Sequence, residues 1–311
     1  MIDRALAGVR VLDVSTLYPA PLLAAFLSDL GADVVKIEPP NGDPLRTIGE
    51  AAWRIANRAK RSVIVDTTDP DGLARLRRLT AVADVIVLNQ PMAVLERWGC
   101  TDEDLTARNP RSVIVHVSAF GTTGPYAGRA GNGTLAEAFI GLPPDLGVPL
   151  GDTAGAWQGV VRVLAALYRR DSPGSASAGT GEVVDVSLFE SLLPLVAPAL
   201  AGVDAGHMVR TRLTAADGRS VAISATTKSQ VRRLEHVAGT DVAGWVRTRT
   251  AIDAVALLND ARVPAVVVNT VADLRADPHV VTRRSVDDVD RSAAPALGDH
   301  TAQVVEEWLH E

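Results

Sequence analysis

Short β-branched apolar runs alternate along the first half of the chain with segments whose apolar residues recur every three or four positions. Val9–Val14 (VRVLDV), bounded by Gly8, predicts a buried strand. Pro21 to Leu30 predicts a helix with Leu22, Leu23, Phe26, Leu27 and Leu30 on one face, ended by Gly31. Val34–Ile37, Val63–Val65, Val85–Leu88 and Val113–Val117 predict further strands, with helical patterns at Asp71–Leu79 and Leu95–Trp98 between them. Such alternation predicts parallel strands joined by right-handed crossovers, a doubly wound α/β sheet.

A long helix follows at Thr153–Arg170, with Trp157, Val160, Val161, Leu164, Leu167 and Tyr168 on one stripe. Arg169 and Arg170 sit at its C-terminal end, where the helix dipole favours positive charge. Asp171–Gly181 (DSPGSASAGTG) reads as a mobile surface loop. A strand at Val183–Val186 and a helix around Leu188–Leu195 come next. Pro194, Pro198 and Gly202 punctuate a composition shift that places a domain boundary near residue 200. Beyond it, Arg212–Ala225 reads as a hairpin turning at Asp217-Gly218. Helical segments at Lys228–Val237 and Ala251–Asn259 and a strand at Val263–Val268 complete a small α+β domain. Thr301–Leu309 reads as a short amphipathic helix. The expected organisation is a large α/β domain, 1–200 joined by 280–311, and a small domain, 210–279.

Composition narrows the function. A chain of 311 residues that is 47% hydrophobic supports a sizeable core, and its net charge of −6 argues against general nucleic-acid binding. No apolar run reaches membrane-span length, and Asp3, Arg4, Arg10 and Asp13 interrupt the N-terminal apolar stretch, unlike a signal peptide. Cys100 is the sole cysteine, which rules out an intrachain disulfide; a cytoplasmic location fits. No His/Cys cluster has zinc-ligand spacing, so no metal is expected.

The opening strand, helix and strand have the form of a nucleotide-binding unit, with Glu38 where an acid would hold a ribose. The turn Ser15–Pro21 has no glycine to let a pyrophosphate approach, which disfavours a dinucleotide enzyme and leaves Glu38 as a surface or packing residue. Gly151-Asp152-Thr153 stands at the start of the long helix. Asp152 has two readings of about equal weight on local sequence: a helix N-cap, or a carboxylate nucleophile beside oriented N–H groups. The cations of Asn57–Ser62 (Arg58, Lys60 and Arg61) suit a solvated loop or a phosphate site, and Arg97 could serve phosphate likewise. His116, on a strand, reads as a core histidine. Gly121–Pro125 reads as a tight turn or as a place where backbone approaches a ligand.

The order of these segments carries more than any one of them. Leu6–Asp13, Gly31–Pro40, Gly42–Arg46, Asn57 with Lys60-Arg61-Ser62 and Asp66, Ala83–Val87, Asn109–Ile114, Phe120–Pro125, Gly151-Asp152, Gly179–Ser187 and Pro295–Thr301 together closely resemble class III CoA-transferases, in one order across nearly the whole chain. The resemblance implies an interlocked homodimer, with the large domain built from both ends of each chain. It implies transfer of coenzyme A from an acyl-CoA to a carboxylic acid, with CoA as substrate and no resident cofactor. In this chemistry Asp152 attacks the thioester to give a mixed anhydride, and CoA thiolate returns to form an enzyme thioester. By position, Asp66, Thr67, Thr68, Asn89, Gln90 and Arg97 would line the CoA site.

The chain also departs from the family pattern. It is shorter than is usual, mainly after residue 195, and lacks a glycine-rich loop that covers the acyl group in some members. Tyr18, Asn132 and Glu137 would line the substrate pocket, where Tyr18 stands at a Gln of formyl-CoA transferase and Glu137 replaces a Gln; separately, an Arg at the position of Pro39 is gone. Asn132 stands at the His of the α-methylacyl-CoA racemases of the same family, and Asn cannot act as their base. The alternatives to CoA transfer are therefore a racemase-like enzyme, acyl transfer from a carrier-bound or CoA thioester, and a non-catalytic subunit in which Asp152 persists only as a cap.

Overall fold

The computed structural model describes residues 4–143, 147–202, 208–283 and 293–310. The chain divides into two compact units, Met1–Pro198 with Val289–Glu311, and Ala199–Asp288. In the first unit the chain order is β1 (Arg10–Asp13), α1 (Pro19–Asp29), β2 (Asp33–Glu38), α2 (Leu45–Ile48), α3 (Glu50–Asn57), β3 (Arg61–Ile64), α4 (Pro70–Val82), β4 (Val85–Leu88), α5 (Met92–Trp98), α6 (Asp102–Arg108), β5 (Val113–Ser118), α7 (Gly133–Phe139), α8 (Leu150–Asp171), β6 (Val183–Ser187) and α9 (Leu188–Leu200). The strands form one sheet in the order β3-β2-β1-β4-β5-β6, and every pair is parallel. The order reverses between β1 and β4, so their carboxyl ends open the crevice where ligands of such sheets bind.

Alternate strand residues feed the two faces. Val11, Val34, Val85, Val87, Val113 and Val115 pack under α1 and α8, and Leu12, Val35, Ile37, Ile86, Leu88 and Ile114 pack under α4 to α6. On α8, Gly155 and Gly159 permit close packing: a Cβ there would stand 2.3 Å from Leu188 Cδ2 and 2.1 Å from Leu23 Cδ1. The buried face of α8 is thus mainly a stripe of small residues (Gly155, Ala156, Gly159, Val160, Val163, Ala166) with Leu167, so that of the stripe the sequence predicts Val160 and Leu167 are buried. Trp157, Val161 and Tyr168 are 54%, 64% and 75% exposed, since spacing alone cannot tell which of two apolar stripes meets the sheet. The next difference is α9, which runs on to Leu200 with Pro194 and Pro198 inside it; each proline removes only its own N–H bond.

The second unit orders β7 (Val209–Thr214), β8 (Ser220–Ala225), α10 (Lys228–Ala238), α11 (Val242–Arg247), α12 (Ala251–Asp260), β9 (Ala265–Val267), α13 (Val271–Ala276) and α14 (Pro278–Arg283). β8 pairs antiparallel with both β7 and β9, around a core of Val221, Ile223, Leu234, Val246 and Leu258. The chain then returns to the first unit as α15 (Thr301–Leu309). There Trp308 is buried and donates to Asp33 Oδ2 at 2.9 Å, and Thr301 Oγ1 accepts from Ile64 N–H at 3.1 Å, covering the β3 edge.

Candidate active site

Asp152 is placed by the crossing of two helix N-termini. α8 starts at Leu150 after Pro149, so Asp152 lies inside its first turn and is not the N-cap that the local sequence suggests. Its side chain reaches across to the neighbouring helix: Gly133 N–H, first in α7, donates to Asp152 Oδ1 at 2.9 Å. The reverse exchange also occurs, as Gly151 N–H in α8 donates to Glu137 Oε1 of α7 at 2.7 Å. Two glycines make the crossing possible. A Cβ on Gly133 would stand 2.5 Å from Asp152 Oδ1, and one on Gly151 would stand 2.8 Å from Gly133 O.

The electrostatics follow from this geometry. Burial pushes the Asp152 carboxyl up, the Gly133 hydrogen bond opposes it, and the charge of Glu137 adds to it, leaving a pKa of about 6. Tyr18, at the N-cap of α1, is raised above its ordinary value by burial and by the charge of Asp152, with Arg58 opposing. The structure therefore brings together Asp152, Glu137 and Tyr18. Asn132 caps α7, its Oδ1 accepting Leu135 N–H at 3.1 Å, so its amide serves the helix.

Tyr18 is carried by a turn held from beneath. Asn89 braces Thr16 at both ends, accepting its N–H at 2.9 Å and donating to its carbonyl at 2.7 Å. Gln90 Nε2 donates to Val14 O at 3.4 Å, and Leu17 N–H donates to Asp43 Oδ1 at 3.2 Å. Leu17 has φ 67°, a left-handed conformation that costs a non-glycine residue on the order of 1 kcal/mol and persists only under such constraint. Beneath the turn lies a fully buried ionic group. Lys60 Nζ donates to Asp13 Oδ2 and Pro21 O, both at 2.7 Å, and to Asn57 Oδ1 at 3.0 Å. Lys36 donates to Ser15 O and meets Asp43 Oδ2 at 3.0 Å as an ion pair out of line for a hydrogen bond.

Three sequence readings are corrected or decided here. The cations of Asn57–Ser62 are neither solvated nor free for phosphate: Lys60 is held by Asp13, Arg58 pairs with Asp29, and Arg61 pairs with Asp33 and with Glu307 at 2.6 Å. Glu38, read as a surface or packing residue, is the packing one: it is buried, forked by Arg46 at 2.7 Å and bonded by Ser62 at 2.6 Å. The third is the cap assignment of Asp152. One signal could have flagged Lys36, which lies in a strand buried on both faces, where no position escapes burial. The glycine crossing of α7 and α8 has no local signal.

The residues expected at CoA occupy the carboxyl edge of the sheet. Asp66 follows β3 and accepts from Thr68 N–H at 2.9 Å and Thr68 Oγ1 at 2.6 Å, with Thr67 between them. Asn89 and Gln90 follow β4, and their amides are engaged with the turn described above. Arg97 is exposed on α5. Elsewhere, buried His116 pairs with Asp102 at 2.6 Å. Gly121 has φ 85°, and Thr122 N–H donates to Asp185 Oδ2 at 2.8 Å. No cluster of potential metal ligands occurs among the described residues, and no helix among them is long and apolar enough to cross a membrane.

Comparison with known proteins bears on this site. A family model described as CoA-transferase family III matches residues 6–242 and 225–305. Succinyl-CoA–D-citramalate CoA-transferase of Chloroflexus aurantiacus is 30% identical over 91% of this chain and 83% of its own. The beta subunit of succinyl-CoA–L-malate CoA-transferase of the same organism is 28% identical over 98% of this chain and 94% of its own. A crystal structure of a CaiB/BaiF family protein from Brucella suis superimposes with a TM-score of 0.83 and 26% identity, covering 97% of this chain and 99% of that one.

Proposed function

The chain is an enzyme that belongs to CoA-transferase family III, and on that premise we propose that it moves coenzyme A from an acyl-CoA to a free carboxylic acid through covalent intermediates on Asp152. The observation that carries this reading is the state of Asp152: half-buried, beside no cation, and with a pKa of about 6 that keeps it ionised yet basic at neutral pH. A carboxylate in that state is a better nucleophile than one neutralised by a lysine.

The Asp152 carboxylate attacks the thioester carbonyl, the C–S bond breaks, and CoA thiolate leaves, giving a mixed anhydride. Thiolate then attacks the Asp152 carbonyl and expels the donor acid, forming an aspartyl thioester. The acceptor carboxylate attacks that carbonyl and releases thiolate, which takes the acceptor acyl group and frees Asp152. Each attack at the Asp152 carbonyl places negative charge on its oxygen, and Gly133 N–H, already on Oδ1, is a donor for it. CoA lies along the carboxyl edge of the sheet near Asp66, Thr67 and Thr68, with Arg97 as a phosphate partner and Asn89 and Gln90 fixing the adjoining turn. The two relatives above share succinyl-CoA in their names, which makes it the first donor to test.

The decisive experiment exposes the protein to a panel of acyl-CoAs, succinyl-CoA first, with hydroxylamine, followed by intact-protein and peptide mass. A hydroxamate on Asp152 supports the mechanism. Turnover with no such trapping at Asp152 removes it. We also propose a homodimer, because the wide apolar face of Trp157, Val161 and Tyr168 on α8 is large for a free surface; sedimentation as a monomer at micromolar concentration would refute this.

A further inference from the structure

Among the described residues, Glu137 is the acid buried beside Asp152, and its chemistry is unused by the steps above. It is 2% exposed, and its Oε1 takes the Gly151 N–H in the first turn of α8. That N–H belongs to the helix that bears Asp152. The positive end of a helix of 22 residues would ordinarily steady a carboxylate in its own first turn. Here the carboxylate of α7 occupies that end, and Asp152 is left with an N–H from α7.

Resting on the transferase reading, we propose that Glu137 is a positioning residue that takes over the N-terminus of α8 and thereby holds the Asp152 carboxylate in a destabilised, reactive state. When Asp152 becomes an anhydride or thioester its charge disappears, and with it the repulsion from Glu137. The negative charge of Glu137 thus favours the covalent enzyme over the free carboxylate. The titratable side chains whose fields meet that of Asp152 are Glu137 from α7 and Tyr18 from the start of α1. Tyr18 is raised above its ordinary value of 10.0, so it keeps its proton throughout the range in which Asp152 titrates. Arg58, which acts on Tyr18, is tied to Asp29.

Glu137→Gln tests this, because the amide oxygen can still accept Gly151 N–H while the charge is gone. The acid limb of kcat/KM against pH is expected to move down, by less than the full rise of Asp152 because burial is its larger cause, and turnover at neutral pH to fall severalfold. An unmoved acid limb with normal folding overturns the proposal. A purely structural role would alter stability and leave the limb in place. Glu137→Asp, which retains the charge, is expected to keep the limb high even if kcat drops; a limb lowered as far as in Glu137→Gln counts against the idea. A second readout needs no turnover. The Tm difference between wild type and Asp152→Asn is followed from pH 4 to 8, with and without Glu137→Gln. Glu137→Gln should shrink the rise of that difference with pH, and no change overturns the proposal. If no acyl-CoA is ever turned over, the transferase reading fails while this cycle still decides the coupling of the two acids.

Discussion

Asp13 and Asp152 lie under and beside the same turn, and their environments push them in opposite directions. Asp13 is the more deeply buried. Burial alone would raise it, yet Lys36 and Lys60, with hydrogen bonds from Lys60 and Ser15, bring it below its ordinary value. Lys60 is itself lowered to about 8, burial outweighing the attraction of Asp13. Asp152 is less buried and is raised to about 6, because its one donor is a neutral N–H and its charged neighbour is another acid. The degree of burial therefore does not sort carboxylates pushed down from carboxylates pushed up. What sorts them is whether a cation was buried along with the acid. The Asp13 group fixes the backbone that presents Tyr18, and the Asp152 group leaves its charge uncompensated, the state that the proposed transfer would use.

The largest expected effect falls on activity. Asp152→Asn can still accept Gly133 N–H, but its amide is a poor nucleophile. Transfer with a verified substrate should fall at least about 10³-fold, roughly 4 kcal/mol of barrier. Asp13→Asn sets the same change in the other environment. It leaves Lys36 and Lys60 buried against a neutral amide, and breaking a buried pair in this way costs about 3–5 kcal/mol. Urea unfolding should show that loss. Adding Lys60→Met should recover part of it, since the two residues share one interaction. If Asp13→Asn is as stable as wild type, the cations are not compensating it and the contrast with Asp152 loses one of its sides.

Much of this contrast was hidden in the sequence for physical reasons. The strands of the large sheet were legible, because β-branched runs such as Val85–Leu88 have no other comfortable setting. The class of fold followed from the order of motifs, which also brought Asp152 forward as the candidate nucleophile. α7 was not legible: no helix is read from the sequence between Gly121–Pro125 and the long helix, although Asn132 three residues before Leu135 is a cap signal. With α7 unseen, Glu137 had a pocket by resemblance but no partner in it, and the cap stayed open as one reading of Asp152. Lys60 reads as a loop cation because its partner Asp13 is 47 residues away, a distance only the tertiary fold closes. The exposed stripe of α8 misled in the same way, since periodicity finds apolar faces without saying which one meets the sheet.

The smallest effect gives the sharpest test of the comparison, because it concerns the sign of a pH dependence. Asp152 has a folded pKa of about 6 against an ordinary 3.8. A group raised in the folded state contributes stability that is fully present below its unfolded pKa and is lost as pH rises through the folded one. The loss for wild type should therefore run from about pH 4 to somewhat above pH 6. About two pH units at roughly 1.4 kcal/mol each set it at about 2–3 kcal/mol. Asp152→Asn carries no charge at any pH and escapes this loss, while keeping the acceptor for Gly133 N–H. The inactive variant should thus be the more stable protein at pH 7.5, melting several degrees higher, with the gain vanishing towards pH 4. At Asp13 the sign is reversed: its lowered pKa means the wild-type advantage over Asp13→Asn should shrink as pH falls through the acid range. Thermal melts of both variants against wild type between pH 2 and 8 decide it: the Asp152 difference changes between about pH 4 and 6, the Asp13 difference below about pH 4. Two curves that slope the same way would mean that the two carboxylates are held alike, and that the absence of a buried cation is not what makes Asp152 reactive.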